Sequence, residues 1–333
     1  MQSSGAQAKD AQWLTMLILR LATFNLEHLD YSPQCEEAFA KRRAVLQPLL
    51  NKLDFDIVCL QEVNGQKSHK HSPRNLEALD HLLAQTRYKN FFVATSQHPK
   101  TNAPADIHNL VILSRWPIEE HQQIYHTLLP QWEWRPPSDN GVYQPAITIK
   151  WDRPSLYARI SLPNGLPLHI INSHLRAPRP VPMITARGLG SNRSWILGQF
   201  IATMKREGQA LETRLFCETL FDQNPQALIA ICGDFNADLY DAPLQLLRGQ
   251  KNEPKTSQRE LVSLEARVTA GPAYSVIHAG KPKLLDHILT SQALTTAWRK
   301  TSIYNQGLED EVFAHDPIIG SLHAPIVTQF RLE

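Results

Sequence analysis

The sequence has 333 residues, of which 42% are hydrophobic and 20% are charged. This composition is ordinary for a globular protein with a full hydrophobic core. No run approaches the roughly 18 consecutive apolar residues that a membrane-spanning helix needs, so no membrane span is expected. The formal net charge of +2 is too small to indicate a non-specific nucleic-acid binder, because such binding depends on many Lys and Arg contacts to phosphates.

Residues 1–15 are mostly small or polar and are predicted to be a flexible N-terminal segment. The apolar run from Trp13 to Leu21 is short, is interrupted by Thr15 and Arg20, and continues into a predicted core strand. It is therefore not typical of a signal peptide. The four cysteines show neither a CxxC pair nor a zinc-ligand spacing. That pattern favours a reducing compartment and a cytoplasmic protein, although the composition is also compatible with export.

The predicted elements begin with two strands that flank a helix. Leu17–Leu26 and Asp56–Val63 are apolar and β-branched enough for buried strands, and Ala38–Leu53 between them has helical spacing. Ser72 followed by Pro73 predicts the N-cap and first residue of a second helix. Strand-like runs follow at Phe91–Thr95, Leu110–Leu113, Val142–Lys150, Leu156–Leu162 and Leu168–Asn172.

A hairpin turn and a long helix are predicted in the middle of the chain. Asn164 and Gly165 predict a tight turn between the last two of these strands, because both residues tolerate positive φ. The long helix is predicted at Ser191–Phe221, with an apolar stripe formed by Ile196, Phe200, Met204, Leu211, Leu215 and Leu220. Asp241 is a candidate N-cap of a short helix. Later strands are predicted at Ala227–Cys232, Ala273–His278, Leu284–Leu289 and Pro325–Leu332.

Polar side chains follow several of the apolar runs, at points where predicted strands end. They are Asn25, Glu62, Asp234, Asn236 and Asp286, together with His174 and His323. Strand ends of this kind are where α/β proteins place their sites. Oxygen ligands with histidine, and without paired cysteines, suit a hard ion, so the sequence indicates Mg²⁺ or Mn²⁺ rather than Zn²⁺.

The motifs around these residues extend over nearly the whole chain, from about Leu19 to Leu332. They are TFNLE, LQEV, ILSRWPI, NSHL, GDFNAD, LDHIL and SLHAPI. In this order they resemble the endonuclease/exonuclease/phosphatase superfamily, whose members include deoxyribonuclease I, exonuclease III-type nucleases, neutral sphingomyelinases and inositol polyphosphate 5-phosphatases. The resemblance implies an α/β fold, a four-layered α/β/β/α sandwich of two packed mixed β-sheets flanked by helices, with residues 16–333 as a single catalytic domain.

The resemblance also implies a metal site and a water-activating group. Glu62 would be the principal metal ligand, and Asn25 would orient it or touch the metal shell. Glu27 is a candidate further ligand. Asp234 would align or deprotonate the attacking water, and Asn236 would hold the phosphate.

Proton transfer is implied for two histidines. His323, oriented by Asp286, would be the general acid/base, because a histidine paired with a carboxylate keeps a pKa near neutrality. His174 in NSHL would donate to the phosphate or the leaving group. This histidine resembles the deoxyribonuclease I, sphingomyelinase and 5-phosphatase side of the superfamily more than the abasic-site repair enzymes.

One position departs from the superfamily pattern. The residue before the final histidine is usually aspartate, and here it is Leu322. Because the lost carboxylate normally lies near the metal and its water, weaker metal binding is expected. Glu27 could supply a replacement carboxylate, whereas Asp316 is close in sequence but outside the motif.

The remaining polar residues are divided between substrate contacts and structure. The arginines after the NSHL motif are candidate phosphate contacts, namely Arg176, Arg179, Arg187 and Arg193. Asn109 is a further predicted substrate contact. The insert Trp132–Trp134 could stack on substrate or could be a buried anchor. His28 and His108 have no recognisable partner and are expected to be structural. His287 follows Asp286 in the strand, so it should point to the opposite face and is also expected to be structural.

The expected function is a Mg²⁺- or Mn²⁺-dependent phosphodiesterase, first of all a nuclease that hydrolyses DNA, so nucleic acid is the expected partner and no protein partner is predicted. The alternative within the enzyme class is a lipid or sugar-phosphate phosphodiesterase or phosphatase of the same superfamily. The alternative of another class is a catalytically weak binding module that kept the fold after losing the acid at position 322. The intact set of motif residues argues against that module.

Overall fold

The protein is described by a computed structural model that covers residues 16–137, 141, 143–183, 190–249, 257–268, 271–314 and 317–333. The predicted flexible segment 1–15, the start of the strand predicted from Val142, and the positions Arg187 and Asp316 lie outside these described residues. Within them, none of the helices combines the length and the hydropathy that a bilayer crossing requires.

The first part of the chain alternates strands and helices. Its elements are β1 (Leu17–Leu29), α1 (Glu36–Leu53), β2 (Ile57–Val63), α2 (Glu77–Leu83), β3 (Phe92–Thr95) and β4 (Asn109–Ser114). Five strands follow before the long helix, namely β5 (Ile118–Ile124), β6 (Trp132–Trp134), β7 (Ile147–Ile149), β8 (Ser155–Ser161) and β9 (Pro167–His174).

The second part begins with α3 (Asn192–Gln223) and ends on a strand. The further elements are β10 (Leu228–Asp234), α4 (Ala242–Arg248), β11 (Val262–Ser263), β12 (Val276–His278), β13 (Lys281–Lys283), β14 (Asp286–Thr290), α5 (Gln292–Thr296), β15 (Trp298–Ile303) and β16 (Ile326–Leu332). Short 3₁₀ turns occur at Pro33–Cys35, Ser257–Arg259 and Glu265–Arg267.

Twelve of these strands form two six-stranded sheets, and the pairs β6-β7 and β12-β13 form two small two-stranded sheets. The first sheet has the order β15-β16-β1-β2-β4-β3, and the second has the order β11-β14-β10-β9-β8-β5. β1 is parallel to β2 and β9 is parallel to β10, whereas the other pairs in these sheets are antiparallel. Both sheets are therefore mixed, as the resemblance implied.

Strand alternation explains how the layers pack. Along β1, Leu19 and Leu21 belong to the core between the two sheets, whereas Phe24 belongs to the core under α1 and α2. Along β10, Cys232 lies between the sheets and Ile231 packs under α3 and α4. Successive side chains of a strand point to opposite faces, so each strand contributes to two cores. The result is the expected four-layered α/β/β/α sandwich.

The start of α2 differs from the prediction. The helix begins at Glu77 with Leu76 in the N-cap position, not at Ser72 and Pro73. The Ser72 hydroxyl instead donates to the carbonyl of His69 over 2.9 Å and closes a local turn. A serine can satisfy either a helix amide or a nearby carbonyl, so the Ser-Pro pair alone does not determine which one it caps.

The predicted apolar stripe of α3 is only partly confirmed, whereas Ser191 does cap the helix. Leu220 is buried and Met204 packs against a core cluster. Ile196 is 59% exposed and Phe200 is 48% exposed. The buried face carries several small residues because the helix lies very close to its neighbours. A Cβ on Gly208, for example, would lie 2.1 Å from the ring of Trp151. Small residues contribute little to a hydrophobic stripe, so the periodicity indicated the wrong face at Ile196 and Phe200.

The central strands of both sheets were predicted from the sequence, whereas several short or polar elements were not. The elements that were not predicted are β5, β6, β11, β13, β15 and α5. β5, for instance, is an edge strand whose residues are largely exposed. The hairpin at Asn164 and Gly165 is confirmed, because it joins antiparallel β8 and β9 and Gly165 has φ of 79°.

Candidate active site

The site lies at one edge of the sandwich, where β1, β2, β9 and β10 end and β14 begins. In the register of the second sheet, Asp234 is opposite His174 on one side and opposite Asp286 on the other. Asp286 reaches this edge from the amino end of its strand, because β14 runs antiparallel to β10. The sequence had suggested a carboxyl end. Regular pairing therefore sets the order of the three side chains.

Alternation directs these side chains into the space between the sheets. Asp234 follows the core residue Cys232 by two positions, so it points toward the first sheet. There the Nδ2 of Asn25 donates to Oδ2 of Asp234 over 3.1 Å. The Oδ1 of Asn25 accepts the backbone N–H of Glu27 over 2.9 Å. Asn25 thus joins the two sheets and holds Asp234 and the backbone at Glu27. Its implied role in orienting Glu62 or in touching the metal shell stays a prediction.

His323 and Asp286 form a buried pair. Nδ1 of His323 lies 2.7 Å from Oδ2 of Asp286. The Ser321 hydroxyl accepts the backbone N–H of His323 over 3.0 Å and donates to the carbonyl of Asn25 over 2.7 Å. Because Nδ1 is engaged by the carboxylate, Nε2 is the ring nitrogen that faces the site.

Three carboxylates surround Nε2 of His323. Oε1 of Glu27 lies at 3.5 Å, and Oδ2 of Asp234 and Oε1 of Glu311 lie at 3.8 Å. Burial lowers the pKa of His323, but the charges of Asp286, Asp234 and Glu27 outweigh burial and raise this pKa well above its ordinary value. The imidazole is therefore protonated at neutral pH. Glu311 lies outside every motif, which is why the sequence did not indicate it.

Asp234 is a buried acid with a raised pKa. Burial raises the pKa of Asp234 to about 7, against the lowering effect of His323, and Asp286 adds to the rise. Its Oδ1 accepts the backbone N–H of Asn236 over 2.9 Å. Asn236 has φ of 48° and donates from Nδ2 to the carbonyl of Leu175 over 3.1 Å. A carboxyl group with a pKa near 7 can exchange a proton with water at neutral pH.

Arg153 is a site residue that the sequence analysis did not identify. Its Nη1 lies 2.6 Å from Nδ1 of His174. A guanidinium can only donate, so Nδ1 accepts, and a neutral His174 carries its proton on Nε2. Burial and the charge of Arg153 hold the pKa of His174 well below its ordinary value. Nε2 lies 3.3 Å from Oδ2 of Asp234 and 3.8 Å from Oε1 of Glu62, so His174 presents an N–H donor to the site.

Glu62 is surrounded by histidines. Its Oε2 lies 3.5 Å from Nε2 of His28 and 3.6 Å from Nδ1 of His108, two residues that were expected to be structural. Burial raises the pKa of Glu62, but His108, His28 and Arg153 outweigh burial and hold this pKa below its ordinary value. Burial, together with the charge of Arg153, lowers the pKa of His108 to about 4. At neutral pH the carboxyl group is therefore ionised and the His108 imidazole is neutral.

The turns that carry these groups are held by side chains from the first sheet and its helices. Arg42 on α1 donates to the backbone carbonyls of residues 26–28. Oδ1 of Asn64 accepts the backbone N–H of His108 over 3.1 Å. Glu62, His28 and His108 all have positive φ, which non-glycine residues adopt only when surrounding contacts hold them there.

The predicted substrate contacts do not all face solvent. Asn109 is 1% exposed and donates from Nδ2 to the carbonyl of Val63 over 2.9 Å, so it supports the turn at the start of β4. Arg176 pairs with Asp152, which also binds Lys205. Arg179 is exposed.

The tryptophans of the insert are packed against the protein. The ring of Trp132 contacts Trp151 edge-on, with centroids 5.2 Å apart, and Trp134 lies 5.6 Å from Phe200. Of the two interpretations left open by the sequence, these contacts favour the anchor.

A cavity of about 450 Å³ adjoins the site. His108 and Arg153 contribute to its lining, together with Ile107, Tyr125 and Pro154. Two residues of the site are thus shared with a cleft that is large enough for a substrate group.

Leu322 forms part of an apolar wall. Its side chain is 6% exposed, and it lines a second cavity of about 550 Å³ together with Phe24, Leu46 and His323. The position that usually carries a carboxylate therefore belongs to apolar packing in this chain. The carboxylates near His323 come from other positions.

Three groups of acidic and histidine side chains in the described part of the chain are close enough to share an ion. They are His28 with Glu62 and His108, Glu27 with Glu311 and His323, and Asp234 with Asp286 and His323. In each group the candidate ligand atoms lie within 4.8 Å of one another. Nδ1 of His108 and Oδ1 of Asp286 are buried without a hydrogen-bond partner. Such a donor set fits a divalent cation.

Comparison with known proteins identifies one family. The model of the Endonuclease/Exonuclease/phosphatase family matches residues 22–308. Among curated proteins, none matches this chain.

Solved structures with the same fold include three named proteins. Truncated Caenorhabditis elegans TDP2 is 15% identical, with a TM-score of 0.56, over 95% of this chain and 98% of that chain. An AP endonuclease from Archaeoglobus fulgidus is 14% identical, with a TM-score of 0.53, over 94% and 99%. The 3′ phosphatase NExo from Neisseria, bound to a product DNA hairpin, is 15% identical, with a TM-score of 0.53, over 94% and 99%. At these identities the likeness concerns the fold alone.

Proposed function

This chain belongs to the Endonuclease/Exonuclease/phosphatase family, and we propose that it is a Mg²⁺- or Mn²⁺-dependent phosphodiesterase that hydrolyses DNA phosphodiester bonds by in-line attack of water. Members of the family are hydrolytic phosphoesterases and are generally dependent on a divalent metal. In this proposal residues 16–333 act as a single catalytic domain.

The observation that carries the proposal is the approach of the His323 imidazole to the buried carboxyl group of Asp234 at one edge of the sandwich. Nε2 of His323 and Oδ2 of Asp234 lie 3.8 Å apart. Hydrolysis forms a bond from the water oxygen to phosphorus and breaks the bond to the leaving oxygen. Asp234 would align the water and accept its proton, and His323, held by Asp286, would give a proton to the leaving oxygen.

The other polar groups would bind the phosphate. His174 has its Nε2–H directed into the site, so it would donate to a non-bridging oxygen or to the leaving group. Arg153 would favour this tautomer by donating to Nδ1. Asn236 would hold the phosphate from the turn after β10.

Glu62 would be the principal metal ligand, and Glu27, which lies on the same strand as Asn25, would be a further carboxylate ligand. A bound divalent ion would neutralise the charge that develops on the phosphate oxygens. Asn25 would act by positioning Glu27 and Asp234, because both ends of its amide are engaged with them.

DNA as the substrate is supported by two observations. Arg179, five residues after His174, is an exposed cation that could contact a phosphate backbone. A protein with this fold, the Neisseria 3′ phosphatase, was solved with a product DNA hairpin. Nucleic acid is thus the proposed partner, and no protein partner is proposed.

The test is a substrate screen with the purified chain. Plasmid DNA, a chromogenic phosphodiester and a chromogenic phosphomonoester are each assayed with Mg²⁺, with Mn²⁺ and with EDTA. We expect plasmid nicking that depends on metal, falls steeply with salt, and is lost in the matched variant His323→Ala. The salt effect is expected because phosphate contacts release counterions.

Other outcomes would reject parts of the proposal. Full activity in EDTA would contradict metal dependence. Hydrolysis of the monoester alone would reject a phosphodiesterase. If none of these three substrates is hydrolysed, activity on a lipid phosphoester supplied in vesicles or detergent would replace DNA with a lipid substrate. Binding of DNA without hydrolysis under every metal condition would indicate the catalytically weak module.

A further inference from the structure

Two histidines outside the family motifs flank the proposed metal ligand. His28 lies in the irregular stretch of β1 between Asn25 and Leu29, and His108 immediately precedes β4. Their rings are in contact, with centroids 4.6 Å apart. Nε2 of His28 and Nδ1 of His108 both approach the same oxygen, Oε2 of Glu62, at 3.5 and 3.6 Å.

These distances are too long for hydrogen bonds and suit donors that share one ion. A hydrogen bond from an imidazole to a carboxylate measures about 2.7–3.0 Å, as between His323 and Asp286. Two donors that are each about 2.1 Å from one metal ion, at a tetrahedral angle, lie about 3.4 Å apart. Nδ1 of His108 is buried and has no hydrogen-bond partner. A neutral imidazole nitrogen without a partner is available as a metal ligand.

We propose that His28, Glu62 and His108 form a two-nitrogen, one-oxygen site for a first-row transition-metal ion, such as Mn²⁺ or Co²⁺, in preference to Mg²⁺. Imidazole ligands suit transition metals, whereas Mg²⁺ is bound almost entirely through oxygen. The inference deepens the proposed function, on which it rests for the identity of the reaction but not for the existence of the site. It assigns a ligand role to two residues that the motifs leave without one.

The side chains of this cluster are partly exposed, as expected for a metal site that is accessible to solvent and substrate. The exposed fraction of the side chain is 58% for His28, 24% for His108 and 12% for Glu62. Three protein ligands with one open side leave positions for water or for a substrate phosphate, as in catalytic metal sites. Oε1 of Glu62 faces His174 at 3.8 Å, so the ion would lie next to the proposed phosphate site.

The experiment measures metal binding without catalysis. The full chain is loaded with Mn²⁺ alone for pulsed electron paramagnetic resonance, which detects coupling to ¹⁴N ligands, and is titrated calorimetrically with Mn²⁺, Co²⁺ and Mg²⁺. The variants are His28→Gln, His108→Gln and the double substitution, and the matched control is His98→Ala. His98 lines the cavity next to His108 but lies outside the cluster.

We expect nitrogen coupling in the wild type and the control, and its loss in the double variant. Mn²⁺ and Co²⁺ affinity should fall at least about 10-fold for each histidine, while Mg²⁺ affinity changes much less. Absence of nitrogen coupling in the wild type would overturn the proposal, and this result needs no variant to fold. Coupling that persists in a folded double variant would assign the nitrogen to another residue and would also overturn it.

The two proposals fail separately. Nitrogen coupling that depends on His28 and His108, in a protein that hydrolyses no phosphodiester, would support the metal site and reject the proposed function. Mg²⁺-dependent DNA hydrolysis in a protein without nitrogen coupling would reject the metal site and leave the function intact.

Discussion

The two sheets contribute to the site in different ways. On the second sheet, His174, Asp234 and Asp286 are placed by uninterrupted strand pairing. On the first sheet, the pairing of β1 with β2 and of β2 with β4 is irregular near the site. There Glu62 and the two flanking histidines adopt left-handed backbone conformations.

This difference separates the proposed chemistry into two halves. Proton transfer is assigned mainly to groups on or paired with the regular sheet, where main-chain hydrogen bonds fix the positions. Metal binding is assigned to the irregular sheet, where side chains such as Arg42 and Asn64 hold the turns. Substitutions of the proton-transfer residues should therefore lower turnover, and substitutions of the metal-binding residues should lower metal affinity.

The largest effect is expected from removing the proton donor. His323→Ala should lower kcat by roughly 10²–10⁴-fold, because general acid/base groups contribute about that much. Asp286→Asn should also be severe, since it keeps the shape but removes the charge that holds the imidazole protonated. Steady-state kinetics with melting curves test this prediction, and near wild-type turnover in either folded variant would contradict the assignment.

The second effect tests the metal half. Glu62→Gln keeps the size of the side chain but removes the charge that a divalent cation needs, so metal affinity should fall on the order of 100-fold. Activity should be lost at metal concentrations that saturate the wild type. Calorimetric titration and activity against metal concentration measure the two effects. An unchanged metal affinity would remove Glu62 from the site.

The third effect concerns Leu322, the residue that stands where the family usually has an aspartate. Leu322 is buried in an apolar wall, so Leu322→Asp should destabilise the protein by roughly 2–4 kcal/mol, the order expected for burying a polar group without a partner. Restoring the family carboxylate should therefore cost stability instead of improving metal binding. Denaturant unfolding checks this for the wild type, for Leu322→Asp and for Leu322→Asn. The asparagine variant is the control because it has the shape of aspartate without the charge. A stable aspartate variant with tighter metal binding would show that the position faces the ion.

A smaller effect should follow from loosening the turn that carries Glu27 and His28. Arg42→Ala removes the donors to the carbonyls of residues 26–28. Metal affinity should fall about 10-fold, the lower end for outer contacts of a metal site, while kcat at saturating metal stays near the wild-type value. A drop in kcat at saturating metal, with unchanged metal affinity, would contradict the assignment of metal binding to the first sheet and of proton transfer to the second.

The smallest effect is expected outside the site and depends on pH. Glu212 on α3 accepts the amides of Thr127 and Leu128 and the indole N–H of Trp151. Burial raises the pKa of Glu212, but the hydrogen bonds from Leu128 and Trp151 outweigh it and hold this pKa below the ordinary value of 4.5. A lowered pKa in the folded state means that this stabilisation is complete above about pH 4.5 and is lost as the pH falls through the lower value.

Glu212→Gln should therefore destabilise the protein by about 1 kcal/mol at neutral pH, because a charge-assisted hydrogen bond becomes a neutral one. The difference in unfolding free energy between the two proteins should close in acid. Denaturant unfolding at a series of pH values from about 3 to about 8, which extends to both sides of the ordinary pKa of a glutamate, measures this difference. A difference that stays constant down to the lowest pH would mean that the carboxyl group does not titrate as described.

Most of the site residues on the second sheet could be predicted from the sequence. Asp234 stands two positions after the core residue Cys232, and His174 stands four positions after the core residue Ile170. Alternation with period two is a local property that carries both side chains to the same face. The family resemblance supplied the pairing of His323 with Asp286, which the structure brings to 2.7 Å. The roles of these residues in catalysis stay predictions.

The sequence by itself determined the central strands, the α/β/β/α class and the acidic and histidine residues at the strand ends, because these features depend on local periodicity and on ordered motifs. Only the tertiary structure decided which groups meet around Glu62. His28 and His108 are far apart in the chain, carry no motif, and converge through turns whose left-handed conformations are imposed by long-range hydrogen bonds. Arg153 and Glu311 were missed for the same reason, since their positions follow from packing between distant segments.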